Sequence, residues 1–405
     1  MLLVALTAML AQNPPVAPAE IVLLGRAKNK MAASLSRMPN YTCLQTIERS
    51  KRLGRRRKFE LIDVLRLEVG LVNGQELFAW PGSGKFEDKE LADMVPPGGA
   101  IGNGSFAAHA SSVFQGRSAS ITFDGWQENP KRAKYIYRVP QNLSGYRIRN
   151  GQKMEAVVGY HGAFWVDPLN ERVTRIEVEA DDVPLFLEVL ATGSSIDYSE
   201  VRIGDADYWL PVGSSMKMTN IDSSEYRNDI LFTACRQFAG ESSLRFDDPS
   251  PDETPLTAVL KEEVVALPRN TYFAIQLDEP IKWGTAVTGQ RIEATLMSTI
   301  KHKGSVVFAK GAKVQGRVTI LQAMDEGQML ELQWETILEG KRSAPFQAAS
   351  MEKSITEIAG RSSASRSRDR DIFGVSGRPG VVMILTRRGK TDLMKGFRFN
   401  WATLP

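Results

Sequence analysis

Histidine and cysteine are scarce in this chain, and that scarcity removes most catalytic chemistry at the outset. Its 405 residues include three histidines (His109, His161, His302) and two cysteines (Cys43, Cys235). None of the five stands at the spacing of a metal site or of a nucleophile–base pair, so no metal and no other cofactor is expected. Neither a Gly-x-Ser-x-Gly elbow nor a His-Glu-x-x-His pair occurs, which removes two common hydrolase arrangements. Adjacent carboxylates stand at Asp181-Asp182 and Glu262-Glu263, but neighbours on an extended chain point to opposite faces and make a poor acid–base pair. Gly82-Ser83-Gly84-Lys85 is followed by Phe86, where a phosphate-binding loop would need a hydroxyl for magnesium. The chain is read as non-enzymatic.

Long apolar runs are missing too. Residues 2–11 are apolar, well short of the ~20 residues a membrane-spanning helix needs. Pro14-Pro15 and the small-x-small stretch Ala17-Pro18-Ala19 follow. This pattern suits a signal peptide over residues 1–19, although no Lys or Arg precedes the run. The expectation is an exported protein, periplasmic or outer-membrane-associated, peripheral rather than integral to the membrane. A net charge of +4 is too small to argue for nucleic acid, and no nucleic-acid partner is expected. The densest basic cluster, Lys51, Arg52, Arg55, Arg56, Arg57 and Lys58, lacks the interleaved aromatics of a single-strand groove. It is either a solvated hairpin tip or, through Arg55, Arg56, Arg57 and Lys58, a contact for anionic lipid head groups or another envelope polyanion. In an oxidising compartment, Cys43 and Cys235 form either one disulfide or two buried thiols.

What the chain has in abundance is period-two alternation broken by turn residues. Residues 18–38 read as the one long helix, with Leu24, Ala27, Met31, Leu35 and Met38 at three- and four-residue steps. Strands are predicted over 41–49, 59–71, 76–80, 119–123, 134–139, 153–160, 163–166, 173–180, 194–203, 207–211, 214–220 and 230–238. Residues 81–117 interrupt the series with glycine-rich loops and short helices near 88–94 and 105–114. The acidic, proline-rich stretch 248–256 reads as a linker. Beyond it, strands are predicted over 272–277, 291–296, 305–308, 313–321, 329–337, 380–386 and 396–401, with the Ser/Arg/Asp run 361–370 as a solvated loop.

Two resemblances give this pattern a shape. Met38-Pro39-Asn40-Tyr41-Thr42-Cys43-Leu44-Gln45-Thr46-Ile47-Glu48-Arg49 after a helix is similar to a group of exported bacterial proteins. Gly162-Ala163-Phe164-Trp165-Val166-Asp167-Pro168 with Val173-Thr174-Arg175-Ile176-Glu177, then Ser195-Ile196-Asp197-Tyr198 and Tyr208-Trp209-Leu210-Pro211, resemble strands of LolA-like lipoprotein-sorting proteins. That resemblance, over about residues 20–247, implies an unclosed antiparallel barrel whose concave face holds acyl chains beneath short helices, a lid role that 81–117 would fill. Leu267-Pro268-Arg269-Asn270-Thr271, Leu277-Asp278-Glu279-Pro280-Ile281, Gly289 and Ala309-Lys310-Gly311-Ala312-Lys313-Val314-Gln315-Gly316-Arg317-Val318 resemble the C-terminal barrel of TrbI-type channel proteins, which implies a packing and assembly module over 257–405.

The expected fold is mainly β (α+β): an N-terminal helix and a curved antiparallel half-barrel with lid helices, then a small C-terminal β-barrel. The expected function is binding of a lipid or lipoprotein acyl chain in the first unit, with inward-facing Leu67, Val157, Phe164, Ile176 and Val178 as candidate contacts. The second unit would dock an envelope protein partner. The alternative is a structural or assembly protein whose half-barrel is filled with its own side chains.

Overall fold

Alternation decides the architecture. In β1 (Tyr41–Leu53), Tyr41, Cys43, Gln45, Ile47 and Arg49 are buried while Glu48 between them is exposed, so one face of the strand is committed to a core. The computed structural model describes residues 17–54, 56–72, 75–83, 86, 91–96, 98–102, 107–238, 263–324, 327–351, 372–375, 378–387 and 392–404. The expected signal run, the 248–256 linker, the 361–370 loop and Arg55 lie outside the described residues, apart from the last three residues of 1–19.

The first sheet is antiparallel throughout. After β1 come β2 (Glu60–Val72), β3 (Gln75–Ala79), β4 (Ser120–Gln127), β5 (Arg132–Val139), β6 (Arg147–Arg149) and β7 (Glu155–Val157). They are followed by β8 (Tyr160–Asp167), β9 (Arg172–Ala180), β10 (Val189–Ile203), β11 (Ala206–Asn220) and β12 (Ser224–Gln237). Ten of these pair in the order β3-β2-β1-β12-β11-β10-β9-β8-β5-β4, and β6 with β7 forms a separate hairpin. Three helices lie with them: α1 (Ala19–Ser36), α2 (Leu91–Met94) and α3 (Ala108–Phe114). Leu23, Ala27 and Met31 recur every four residues and are the buried side of α1. The result is a curved antiparallel half-barrel with a helix and lid segments on its concave face.

Two strand boundaries differ from expectation for local reasons. The predicted strands 207–211 and 214–220 are one strand, β11, because a bulge at Val212 absorbs Pro211: Tyr198 pairs Pro211 and Asp197 pairs Gly213. Pairing of β11 with β12 begins only at Gly213, so the missing proline N–H leaves no gap in that ladder. The predicted strand 153–160 is instead β7 and the start of β8, broken at Gly159, whose Cα lies so near the chain that a Cβ would sit 3.1 Å from the Gln141 nitrogen.

The second half of the chain contains β13 (Glu263–Val264), β14 (Tyr272–Leu277), β15 (Arg291–Leu296), β16 (Ile300–His302), β17 (Ser305–Phe308) and β18 (Lys313–Met324), and all but β16 and β17 belong to the second sheet. It continues through β19 (Gly327–Glu339), β20 (Arg342–Pro345), β21 (Ala348–Ser350), β22 (Ile372–Val375), β23 (Val381–Arg387) and β24 (Arg398–Thr403). Its order is β13-β20-β19-β18-β15-β14-β24-β21, with β23 also on β19, β22 on β23, and β16–β17 a separate hairpin. It curls into a half-barrel around Phe273, Trp334, Phe346, Phe399 and Trp401. Gly380 closes part of the gap: its N–H donates to Ala348 O at 2.7 Å and its carbonyl accepts from Trp334 N at 2.8 Å.

The two sheets touch through backbone. Arg66 N donates to Thr288 O at 2.8 Å and Thr288 N donates to Val64 O at 3.0 Å, an isolated parallel bridge from β2 to the loop before β15. Gly289, at φ +95°, is held where a Cβ would collide with the Arg66 carbonyl, so only glycine fits there. Arg317, almost wholly buried, locks the junction from β18. Its Nε donates to Glu335 Oε1 at 3.0 Å and its Nη1 to the carbonyls of Pro81 (3.3 Å) and Gly289 (3.2 Å).

Candidate functional site

The concave face of the first sheet is where a ligand would enter, and it is occupied by the protein itself. At one end, α1 and α3 cover β5, β8 and β9, forming a core of Leu23, Met31, Val113, Phe114, Tyr135 and Phe164 with their neighbours. Phe164 stacks on Tyr135 at 5.2 Å and meets Phe114 edge-on at 5.0 Å, favourable aromatic geometries. Polar ties fix the helices in place. Tyr135 OH donates to Glu20 O at 2.7 Å, and Arg26 and Lys30 both reach Glu171 at 2.8 Å. Glu76 Oε1 accepts from Ala107 N at 2.9 Å and Ala108 N at 3.2 Å, capping the start of α3.

At the other end a strap of residues 94–96 and 98–102 crosses the sheet. Arg49, on the inward face of β1, donates to Asp63 of β2 through Nε (2.7 Å) and Nη2 (2.5 Å), with both side chains essentially unexposed. The same guanidinium donates to Gly98 O at 2.8 Å and Pro96 O at 3.1 Å. Asn228 Nδ2 donates to Ala100 O at 2.9 Å. A buried charge survives only when paired and hydrogen-bonded. Arg49 meets that condition by holding the strap against the sheet.

Four of the five candidate contacts lie in these cores. Leu67, Phe164, Ile176 and Val178 each have 0% exposure, so no space large enough for a water molecule touches them. Leu67 belongs to the strap end, with Leu65, Leu71, Met94 and Phe232, and the other three to the helix end. Val157 stands apart. It is half-buried on β7, paired with Arg147 of β6, and not part of the curved sheet, because the strand is interrupted between Val157 and Tyr160.

Cys43 and Cys235 are joined as a disulfide across β1 and β12. Of the basic candidates, Arg56, Arg57 and Lys58 are exposed on the β1–β2 turn. His161 is a surface residue whose Nδ1 lies 2.6 Å from Asp181 Oδ1. Among the described residues no group of three His, Cys, Asp or Glu side chains could hold a metal ion, and no helix is long and apolar enough to cross a membrane. On the second sheet an open cleft of ≈ 550 Å³ lies between residues 263–269 and the β16–β17 hairpin, lined by Val265, Leu267, Arg269, His302, Val307 and Arg342 among others.

His109 is a site that sequence patterning did not single out. It is buried in α3 with its ring edge-on to Tyr146 at 5.5 Å, and burial pulls its pKa down to about 4. Because the folded value is depressed, the unfolded chain binds the proton first as pH falls below the ordinary value of ~6.5. Stability should decline by about 2–3 kcal/mol between pH 7 and pH 4.5 from this group. Urea midpoints of the wild type and of His109→Gln at the two pH values check this. The variant should lose that part of the slope, and an unchanged slope would refute the assignment.

No family model matches the chain, and no curated protein matches it. Among solved structures it is similar to a DUF1329 family protein from Desulfovibrio piger, at 11% identity and a TM-score of 0.29, over 57% of this chain and 98% of that one. These comparisons lend no support to the LolA-like or TrbI-type resemblance as such.

Proposed function

We propose that this chain is a non-catalytic protein of the bacterial cell envelope in which the curved sheet is a filled scaffold rather than a container. The observation that carries the reading is the complete burial of Leu67, Phe164, Ile176 and Val178 beneath α1, α3 and the strap. Magnitudes weigh the same way. An acyl chain of about twelve methylenes gains roughly 10 kcal/mol on burial. Displacing α1 and α3 to admit it would expose Leu23, Met31, Val113 and Phe114, at about 1.5–3 kcal/mol each, and would break the ties to Glu20 and Glu171. Little net affinity remains. Export is supported by the Cys43–Cys235 bridge, since such bonds persist in oxidising compartments. The second half-barrel, with its open cleft, is the surface for an envelope protein partner.

The test is mass spectrometry of an organic extract from protein purified without detergent out of its own envelope, paired with titration by a fluorescent fatty acid. The expected result is no stoichiometric lipid and no saturable micromolar binding. A one-to-one acyl lipid that survives gel filtration would overturn the filled-scaffold reading in favour of an acyl carrier.

A further inference from the structure

Three turns at one end of the first sheet carry large exposed apolar side chains and unpaired cations together. They are the β1–β2 turn, the β11–β12 turn and the β9–β10 connection with its 3-10 turn Leu185–Leu187. Backbone bonds set them side by side. Gly54 N donates to Ser223 O at 3.2 Å, and Ile221 N donates to Glu188 O at 3.0 Å. On this rim Leu53, Leu61, Leu185, Phe186, Leu190 and Ile221 are between 53% and 77% exposed. Single exposed leucines are ordinary on any protein, but a group on adjoining turns marks an interaction surface. The rim is braced from below by Leu187 and Val189, buried in a small core with Ile148 and Val158.

Charge on the rim is mixed, and its unpaired cations are concentrated on the β1–β2 turn. Arg52 is anchored to Glu225 (3.0 and 2.5 Å) and lies 4.6 Å from the Phe59 ring centre, with Arg227 4.7 Å from the same ring. Arg56, Arg57 and Lys58 are exposed, and no described residue forms an ion pair with any of them. Asp222, beside the exposed Ile221, is itself exposed, with its carboxylate accepting from Ser224 N at 2.9 Å and Ser224 Oγ at 2.6 Å, and Glu188 between Phe186 and Leu190 is exposed too. The run 51–58 contains no acidic residue, so the charge of Arg56, Arg57 and Lys58 complements a negative surface.

We propose that this rim docks the protein on an anionic phospholipid bilayer. Leu185, Phe186, Leu190, Ile221 and Leu53 enter the boundary between head groups and acyl chains, while Arg56, Arg57 and Lys58 contact phosphates. The rim lies outside the filled core, so the inference holds or fails independently of what the curved sheet contains.

Co-sedimentation of the full chain with vesicles tests it. Binding to phosphatidylglycerol/phosphatidylethanolamine vesicles should be at least about tenfold tighter than to phosphatidylcholine and should weaken at ionic strengths where the Debye length falls to a few ångströms. Leu185→Ser/Phe186→Ser and Arg56→Glu/Arg57→Glu should each weaken it by about tenfold or more. Leu169→Ser, on the almost fully exposed β8–β9 turn at the opposite end, should leave binding unchanged. Should a double variant melt lower than the wild type, Phe186→Ala and Arg57→Gln carry the comparison. Equal binding to both vesicle types, binding to neither, or binding indifferent to the rim variants would overturn the proposal, the last two pointing to a protein partner or to plain solvated turns.

Discussion

Asp63→Ala should destabilise the protein by about 3–5 kcal/mol, read from urea unfolding at neutral pH. The size follows from what is left behind. Arg49 is 1% exposed and cannot lose its charge, so removing the carboxylate strands a guanidinium in the core with only the Pro96 and Gly98 carbonyls as partners. The pair as a whole is worth far less than this loss implies, because both ions were desolvated to form it. Arg49→Met/Asp63→Leu should therefore recover most of the stability. It should also free the strap, visible as faster hydrogen exchange at residues 98–102 than in the wild type. An exposed pair such as Arg202–Asp207 sets the contrast: Asp207→Ala should cost no more than about 1 kcal/mol. A loss at Asp63 as small as that would mean that water reaches the site.

Much of the fold could be read from period two alone. The strands expected at 272–277, 291–296 and 305–308 coincide with β14, β15 and β17, because each is half-buried and bounded by turn residues. The short strands β13, β16 and β20, unlike β17 with its Val306-Val307-Phe308, carry no strand-like pattern in the sequence, and they exist because neighbouring strands pair with them. The basic segment 50–53 continues β1, although its composition suggested a loop, since Lys51 and Arg52 pair with Tyr226 and Glu225 of β12. The buried ion pair left a legible trace. Arg49 extends the inward series Tyr41, Cys43, Gln45 and Ile47, and a charge at an inward position requires a buried counter-charge. Its identity was not legible, because a bulge next to Arg49 sets which residue of β2 it meets. The filling of the concave face was beyond sequence for the same kind of reason. It depends on the strap and α3, whose positions are set by Arg49, Asn228 and Glu76, partners up to 128 residues away.

Removing the Cys43–Cys235 bridge should be the other large perturbation. The bond spans a sequence separation of 192 residues, for which loop closure gives about 5 kcal/mol in the chain-entropy model, a model-dependent figure. The native state would change little, since β1 and β12 are already paired along their lengths from Tyr41–Gln237 to Leu53–Ser224. The loss therefore belongs to the unfolded chain, which gains freedom once the crosslink is gone. This assigns the effect to a particular rate. Without the bridge, β1 must find β12 across nearly the whole first sheet, a non-local search that slows folding. Cys43→Ala/Cys235→Ala should then lower the urea midpoint chiefly by slowing refolding, with unfolding rates nearly those of the oxidised wild type. A midpoint shift below about 1 kcal/mol would show that the unfolded chain stays compact without the crosslink. A variant that instead unfolds much faster would place the bond's contribution in native packing around Cys43, which is 1% exposed. If the cost does fall on folding, the reduced chain reaches this structure slowly, and efficient folding requires the oxidising compartment that the proposed export supplies.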